Sequence, residues 1–483
     1  MNRQIQLNPD QLEALEAIKH FLNNPDLEAF VLCGSAGTGK TTLVSMIIEL
    51  VHQLGMESLL VAPTGRAAQI LQGKLNWLLP KTLGPVAVST LHGAIYYMAN
   101  LSVDDARPEE GLSALHMDFT IRKQGNPFDL MIVDEASMVG NTALFQPSMR
   151  FGSGRLLSDL VGYVQYLYRE GIVSRPIKLL FVGDLAQLPP VGSQQSPALS
   201  PECLYSNFGL QARRYELTTV MRQGENSGIL AWANAIRDWI FHSSGGAVEI
   251  PFNGHDIVPA DFLSAVRTIA NNVRQQQPSA AVVYSNALAL DYNLGVREQL
   301  WGNPYSPVVV RDKLLVTRNC PSAGLSNGDL VRVVGIHPSS WREQVRLPNG
   351  QAVDLYFREM LLKPDASTNE SSTIKCMVLE NLLFSGHRDL QDCEQFALFE
   401  LVRQRHPRVD PDSSEFRELL QADLYYNAVQ VKFGYAMTCH KAQGGEWQQV
   451  IVDPLGVRLD TEDGCRWLYT AVTRASNSLI VVT

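Results

Sequence analysis

The sequence predicts an α/β chain with two parallel-sheet domains, the second interrupted by a β-rich insertion. Three observations predict it. Apolar runs at Phe30–Cys33, Ser58–Ala62, Leu130–Val133 and Lys178–Val182 each lead into polar or glycine-rich residues, with helix-like segments between them. That is the βαβ pattern of a parallel sheet covered on both faces. A second such pattern begins near Arg213, with Ala280–Tyr284, Val429–Tyr435, Gln449–Val452 and Leu479–Val482 as its strands. Between them, Leu314–Thr317, Asp329–Ile336, Glu343–Leu347 and Ala352–Phe357 are short strands separated by turn signals such as SNGD and PNGQ. A helical, charge-mixed stretch follows at Asp389–Asp423.

Composition narrows the class. The chain has 483 residues, 45% of them hydrophobic, enough for several cores and too many for a disordered chain. No apolar run reaches the ~18 residues of a membrane span, and MNRQIQLNPDQ has no secretory core, so an intracellular, cytoplasmic protein is expected. The seven cysteines form no CxxC pair, so neither a disulfide framework nor a zinc ribbon is expected. A net charge of −9 argues against a histone-like coat on nucleic acid, though not against a local groove.

The elements follow in order. Asn8-Pro9-Asp10-Gln11 opens the first helix, with Asn8 as N-cap, Pro9 at the first turn and Gln11 closing a capping box. The Gln11 amide also matches the acceptor–donor edge of adenine, and both roles can hold. GSAGTGKT, residues 34–41, fits G-x-x-x-x-G-K-[ST] between a strand and a helix. The cofactor set is Gly34, Ser35, Ala36, Gly37, Thr38, Gly39, Lys40, Thr41 and Thr42. Glycines let backbone N–H groups converge on phosphate, and the helix start adds positive potential. Lys40 reaches the β/γ-phosphates of ATP, and Thr41 takes Mg²⁺. In DLMIVDEAS, Asp134 suits the Mg²⁺ shell and Glu135 orients the attacking water. In LLFVGDLAQLPPVG, Asp184 and Gln187 are expected near the γ-phosphate; an ordinary proline-stiffened loop is the alternative. Met138–Phe181 is long for a connection within one sheet. Its Tyr163, Tyr166, Tyr168 and Arg169 suit either a protein partner or padding of the domain.

Nine motifs then stand in order: NPDQ, GSAGTGKT, APTGRAA, STLHG, VDEAS, VGDLAQLPPVG, LTTVMRQ, YAMTCHKAQGGEW and LYTAVTRA. The chain resembles superfamily 1 helicases of the RecD/Dda group over nearly its whole length. SNGDLVRVVGI, CHKAQG and the terminal LYTAVTRA are especially similar to the Dda branch.

That resemblance implies two RecA-like P-loop NTPase domains with a β-hairpin insertion and an SH3-like insertion. On this reading 1–212 is the first domain, with its hairpin at about 94–127. Residues 213–318 and 429–483 form the second, and 319–428 the insertion. It implies an ATP-dependent 5′→3′ translocase and helicase on single-stranded and forked DNA, expected to be monomeric, with a protein partner at 138–181 or the insertion as an option. Arg222 and Arg474 become arginine fingers from the second domain; a planar fork of donors suits developing γ-phosphate charge. Gly444 and Glu446 fall on the nucleotide side, with Gln443. Pro63, Thr64, Thr90, His92, Thr438 and His440 face DNA, with His92 otherwise a core or capping residue. Phe119 is the hairpin aromatic at the duplex fork, or else packs on its own hairpin. Two other functions fit the same motor motifs: an RNA-directed relative, which would be distinguished by contacts to the 2′-OH, and a nucleotide-gated DNA-binding scaffold that does not unwind.

Overall fold

The computed structural model describes residues 6–84, 86–107, 112–143, 149–221, 227–242, 246–365 and 373–483. The first half runs α1 (Pro9–Asn23), β1 (Ala29–Gly34), α2 (Lys40–Gln53), β2 (Ser58–Ala62), α3 (Gly65–Leu78), β3 (Val88–Thr90), α4 (Leu91–Ile95), β4 (Tyr96–Arg107), β5 (Leu112–Ile121), β6 (Leu130–Val133), β7 (Met149–Phe151), α5 (Leu156–Arg169), β8 (Lys178–Gly183), α6 (Pro201–Phe208) and β9 (Ala212–Leu217). Six strands form one parallel sheet in the order β3-β2-β6-β8-β1-β9.

The core follows from strand periodicity. Ala29, Val31, Cys33, Met131, Val133, Leu179 and Phe181 point to one face. Phe30, Leu32, Leu130, Ile132, Leu180 and Val182 point to the other, which α1, α2 and α3 cover. The long stretch between the acidic motif and VGD has a structural role. Its β7 joins β5 of the β4–β5 hairpin. Its α5 lays Leu157, Leu160, Val161, Tyr163, Val164 and Leu167 on the first face of the sheet. Each such side chain contributes about 1.5–3 kcal/mol when fully buried. Tyr168 remains exposed.

The second half runs α7 (Gly228–His242), β10 (Ile257–Ala260), α8 (Phe262–Gln275), β11 (Ser279–Val283), α9 (Asn286–Trp301), β12 (Lys313–Val316), β13 (Leu330–Ile336), β14 (Trp341–Arg346), β15 (Ala352–Pro364), β16 (Ile374–Leu379), α10 (Asp392–Arg405), α11 (Ser414–Ala422), β17 (Val429–Phe433), β18 (Ala436–Thr438), α12 (Cys439–Ala442), β19 (Trp447–Asp453), α13 (Glu462–Val472) and β20 (Ala475–Val482). A second parallel sheet has the order β10-β20-β19-β11-β18. Helices α8 and α9 cover one face; α7, α12 and α13 cover the other.

The insertion is a separate sheet in the order β13-β12-β17-β16-β15-β14, and β13 also pairs with β15. That extra pairing closes five strands into a ring and removes their free edges. Helices α10 and α11 cap it through Phe396, Phe399 and Phe416.

Two strands lie elsewhere than the sequence pattern suggests. Val429–Phe433 belongs to the ring, paired with β12 and β16. Its short apolar run suits either sheet. The crossing occurs at Gly434, where a Cβ would lie 2.8 Å from Leu330 Cδ2 and 2.9 Å from the Leu314 carbonyl carbon. Ala212–Leu217 extends the first sheet beside β1, so the chain leaves that sheet after Leu217. Among the described residues, no helix is long and apolar enough to cross a membrane.

Candidate functional site

The P-loop connects β1 to α2 at the carboxyl edge of the first sheet. Gly37 and Gly39 adopt φ of 84° and 79°, a region closed to most side chains. A Cβ on Gly39 would also meet Gln11 Nε2 at 2.4 Å, so only glycine fits between α1 and the loop. The Lys40 ammonium donates to the carbonyls of Gly34 (2.8 Å) and Ser35 (3.0 Å), lying over the loop.

Gln11 is 2% exposed. Its Oε1 accepts from Asn8 N–H (3.1 Å), completing the capping box, and its Nε2 donates to Thr38 O (3.1 Å). The amide therefore braces the P-loop, with one N–H and one lone pair left over. Asp10, one residue earlier, takes the backbone N–H groups of Thr218 (2.8 Å) and Thr219 (2.9 Å) and the Tyr215 hydroxyl (3.0 Å). Met221 N–H then donates to Gly37 O (2.8 Å). LTTVMRQ is thus tied to both α1 and the P-loop. Arg222 itself lies outside the described residues.

Asp134 and Glu135 follow β6, two strands from β1. Burial and the adjacent Glu135 carboxylate push the Asp134 carboxyl up to about 6. Glu135 sits at φ 50°, a strained backbone for this residue type. Gln187 is 3% exposed, and its Oε1 has no hydrogen-bond partner among the described residues. A buried acceptor left open suits a ligand or a water beside a phosphate. The hard oxygen donors of Thr41 and Asp134 suit Mg²⁺. The residues present therefore fit a bound ATP·Mg²⁺.

Asp184 follows β8 and is linked to the P-loop by the Tyr469 hydroxyl, which also meets Ala36 N–H. It is fully buried and bound by the second half of the chain: Arg237 Nη1 donates to it (2.9 Å), as does the Tyr469 hydroxyl (2.7 Å). Arg474 is also held at home. Its donors go to Thr470 O (2.9 Å), Gly445 O (3.3 Å) and Thr473 Oγ1 (3.0 Å). The neighbouring residues Thr473, Ala475 and Ser476 line a pocket with Ala36 of the P-loop, so α13 and β20 face the phosphate loop across a cleft.

The residues expected at DNA lie on the same carboxyl edges, toward the β3 side of the first sheet and the β18 side of the second. Pro63 and Thr64 follow β2, Thr90 ends β3, and Thr438 ends β18. Thr64 and Thr90 cap α3 and α4 through Ala67 N–H (3.2 Å) and Gly93 N–H (3.0 Å). His92 sits edge-on to Phe151 (4.9 Å) and beside Tyr96 (5.7 Å). Burial lowers its pKa to about 4, so it is a neutral member of an aromatic cluster. His440 is exposed. Phe119 is stacked on Phe151 at 4.5 Å near the base of the hairpin, and the chain at the hairpin tip lies outside the described residues. Packing against Phe151 and against the core of the insertion therefore holds this ring, and the structure does not present it as a free wedge.

Gly444 and Gly445 pack against α3 rather than the P-loop. A Cβ on Gly444 would meet Ala67 Cβ at 3.3 Å, and one on Gly445 would meet Arg66 Nη2 at 2.8 Å. Glu446 follows on the same turn, and Gln443 Nε2 donates to Leu188 O (3.4 Å). Arg66 lies over the Trp447 ring at 4.6 Å, and Gln69 donates to Asp329 (2.8 Å). The start of α3 is thereby clasped by the second sheet and by the SNGD turn of the insertion.

Three polar groups beside the site escaped the sequence reading. Tyr469 lies inside LYTAVTRA but its spacing gives no role. Arg237 belongs to no motif. Lys441 lines a cavity with Asn286, Asn293, Lys432 and Thr438. Its Nζ is buried with no hydrogen-bond partner among the described residues, and burial lowers its pKa to about 8.

Comparison with known proteins finds matches to parts of the chain and to the whole. Residues 15–193 match an AAA domain family, and 433–482 match the UvrD-like helicase C-terminal domain. An uncharacterised protein of Acanthamoeba polyphaga mimivirus is 21% identical, over 98% of this chain and 99% of its own length. The ATP-dependent RecD2 DNA helicase of Deinococcus radiodurans is 30% identical over 206 residues, 43% of this chain, so the match spans only 21% of that protein. A Pif1 helicase structure from Candida albicans aligns with 99% of this chain and 95% of its own, at 15% identity and a TM-score of 0.47. The two family models thus fall on the P-loop half of the chain and on the C-terminal segment that carries α13, the two parts that meet at the nucleotide cleft.

Proposed function

We propose that this protein is an ATP-dependent DNA helicase that moves 5′→3′ along a single strand. The observation that carries the reading is the placement of two sets of residues on facing parallel sheets. Phosphate-binding groups lie on β1, β6 and β8, opposite α13. Hydroxyl groups suited to a strand, Thr64, Thr90 and Thr438, lie at the ends of β2, β3 and β18, with Lys441 on α12 just after Thr438.

ATP·Mg²⁺ supplies the free energy of hydrolysis. Lys40 leaves two carbonyls to meet phosphate, and the N–H groups around Gly37 and Gly39 hold it. Glu135 takes a proton from the attacking water, which Gln187 Oε1 orients. Arg222 and Arg474 turn toward the γ-phosphate when nucleotide binds between the lobes, Arg474 leaving its resting carbonyls. At the outer strands, the unpaired Lys441 ammonium beside Thr438 favours an anionic backbone: a buried cation without a partner is unfavourable until a phosphate arrives. Because α3, the SNGD turn and β18 meet, closure around nucleotide changes the grip on the strand.

The test is steady-state ATP hydrolysis at fixed salt with no nucleic acid, single-stranded DNA or single-stranded RNA. Stimulation by DNA is expected, followed by unwinding of 5′-tailed but not 3′-tailed duplexes. Stimulation by RNA alone would instead support the RNA-directed reading. Equal rates in all three would favour a nucleotide-gated scaffold and overturn the motor reading.

A further inference from the structure

We propose that Tyr469 is a positioning residue through which the second lobe sets the shape of the P-loop; this rests on the motor reading above. Its hydroxyl stands between two parts of the nucleotide site. It accepts from the Ala36 backbone N–H (3.3 Å), inside GSAGTGKT, and donates to Asp184 Oδ2 (2.7 Å), in VGDLAQLPP. Asp184 Oδ1 accepts from Ala186 N–H (3.0 Å) and from Arg237 on α7 (2.9 Å), which also pairs with Glu216 on β9. Tyr469 is 1% exposed and Asp184 is fully buried.

The arrangement has a direction. Both side chains that satisfy Asp184 come from the second lobe, whereas Ala36 and Asp184 belong to the first. The same helix, α13, also takes Leu188 N–H on Thr470 Oγ1 (2.9 Å) and sends Arg466 to Leu185 O. Burial, reinforced by Asp184, raises the Tyr469 pKa well above its ordinary value, so the phenol keeps its proton and remains a donor. When the lobes separate, Ala36 loses its acceptor and Asp184 loses two donors in one step. The P-loop amide is therefore held only in the closed arrangement, and closure reaches the phosphate site through a single hydroxyl.

The first experiment uses the nucleotide-free full-length chain and reads amide hydrogen exchange. The Ala36 amide is expected to be protected in the wild type and to exchange about tenfold faster in Tyr469→Phe, the size expected for losing a hydrogen bond in a charged network. Interior amides of β11 and β19 report that the fold is intact. In ssDNA-stimulated hydrolysis, Tyr469→Phe should lower kcat about tenfold and leave the KM for ATP within about twofold, a split that general loosening would not give. Unchanged Ala36 exchange in the variant overturns the proposal. If the variant does not fold, the wild type decides, because an Ala36 amide exchanging at the rate of an unprotected peptide also overturns it. Absence of hydrolysis with any nucleic acid would sink the motor reading and leave the exchange result standing. Normal hydrolysis with unchanged Ala36 exchange would sink the relay alone.

Discussion

Gly65→Ala tests the clasp between α3 and the insertion by adding one methyl group. A Cβ at Gly65 would lie 1.9 Å from Ser326 Cβ and 2.3 Å from Ser326 Oγ. Two carbons in contact sit about 3.5–4 Å apart, so the start of α3 and the SNGD turn must separate by roughly 1.5–2 Å. That shift breaks Gln69–Asp329 (2.8 Å) and Arg66–Gly328 O (3.3 Å). Overpacking of this kind costs ~1–3 kcal/mol, or about 5- to 150-fold in the population of the clasped state. The assay is ssDNA-stimulated ATP hydrolysis together with thermal unfolding. The substitution should depress stimulation by about that factor while the first sheet still unfolds cooperatively. Ser326→Gly removes both colliding atoms, leaving Ser326 Cα at 3.3 Å, so the double variant should recover most of the loss. Wild-type stimulation in Gly65→Ala, or no recovery in the double variant, would refute the reasoning.

Other substitutions separate the parts of the site. Lys40→Ala should abolish hydrolysis and unwinding with no change in circular dichroism; retained unwinding would remove the P-loop from the mechanism. Lys441→Met should weaken binding of single-stranded DNA and reduce the slope of log K against log salt by about 1, the signature of one lost phosphate contact. An unchanged slope would place Lys441 off the strand path. Arg297 and Asp312 are fully buried, paired at 3.2 Å, and Arg297 also donates to three carbonyls. Arg297→Met leaves the buried Asp312 carboxylate without its cation, held by Trp301, Val309 and Tyr435, and should lower stability by ~3–5 kcal/mol in denaturant titration, with less than ~1 kcal/mol counting against it. His92 has a folded pKa of about 4, below its unfolded value of ~6.5. The unfolded chain therefore binds the proton first, and stability is lost as pH falls from about 6.5 toward 4, by up to ~3 kcal/mol. His92→Phe should flatten that part of the profile.

The parallel sheets were legible because their strands end in residues with a chemical reason to be there. Gly34, Asp134 and Thr438 each follow a short apolar run, and each lands at a carboxyl edge. Val429–Phe433 was not legible, because a buried five-residue strand reads the same whether it joins a parallel sheet or a ring. The role of Met138–Phe181 was hidden for a similar reason: an amphipathic helix does not reveal whether its apolar face covers its own sheet or a partner. At the site, the phosphate loop and acidic pair carry local spacing. Tyr469, Asp184 and Arg237 meet across 285 and 53 residues of chain, a distance at which spacing holds no information. His92 and Phe119 were ambiguous because an aromatic ring suits a stacked base and a packed core equally well.

The ring enters through β12 and leaves through β17, and these two strands are antiparallel neighbours, with Val316 opposite Val431. Everything from 317 to 430 is therefore carried on two adjacent backbone attachments about 5 Å apart. A module held at one point can swivel about a bond; one held by a hydrogen-bonded strand pair cannot turn without tearing its own sheet. The insertion is thus a rigid lever arm of the second lobe, and any rotation of that lobe sweeps the SNGD turn across the start of α3.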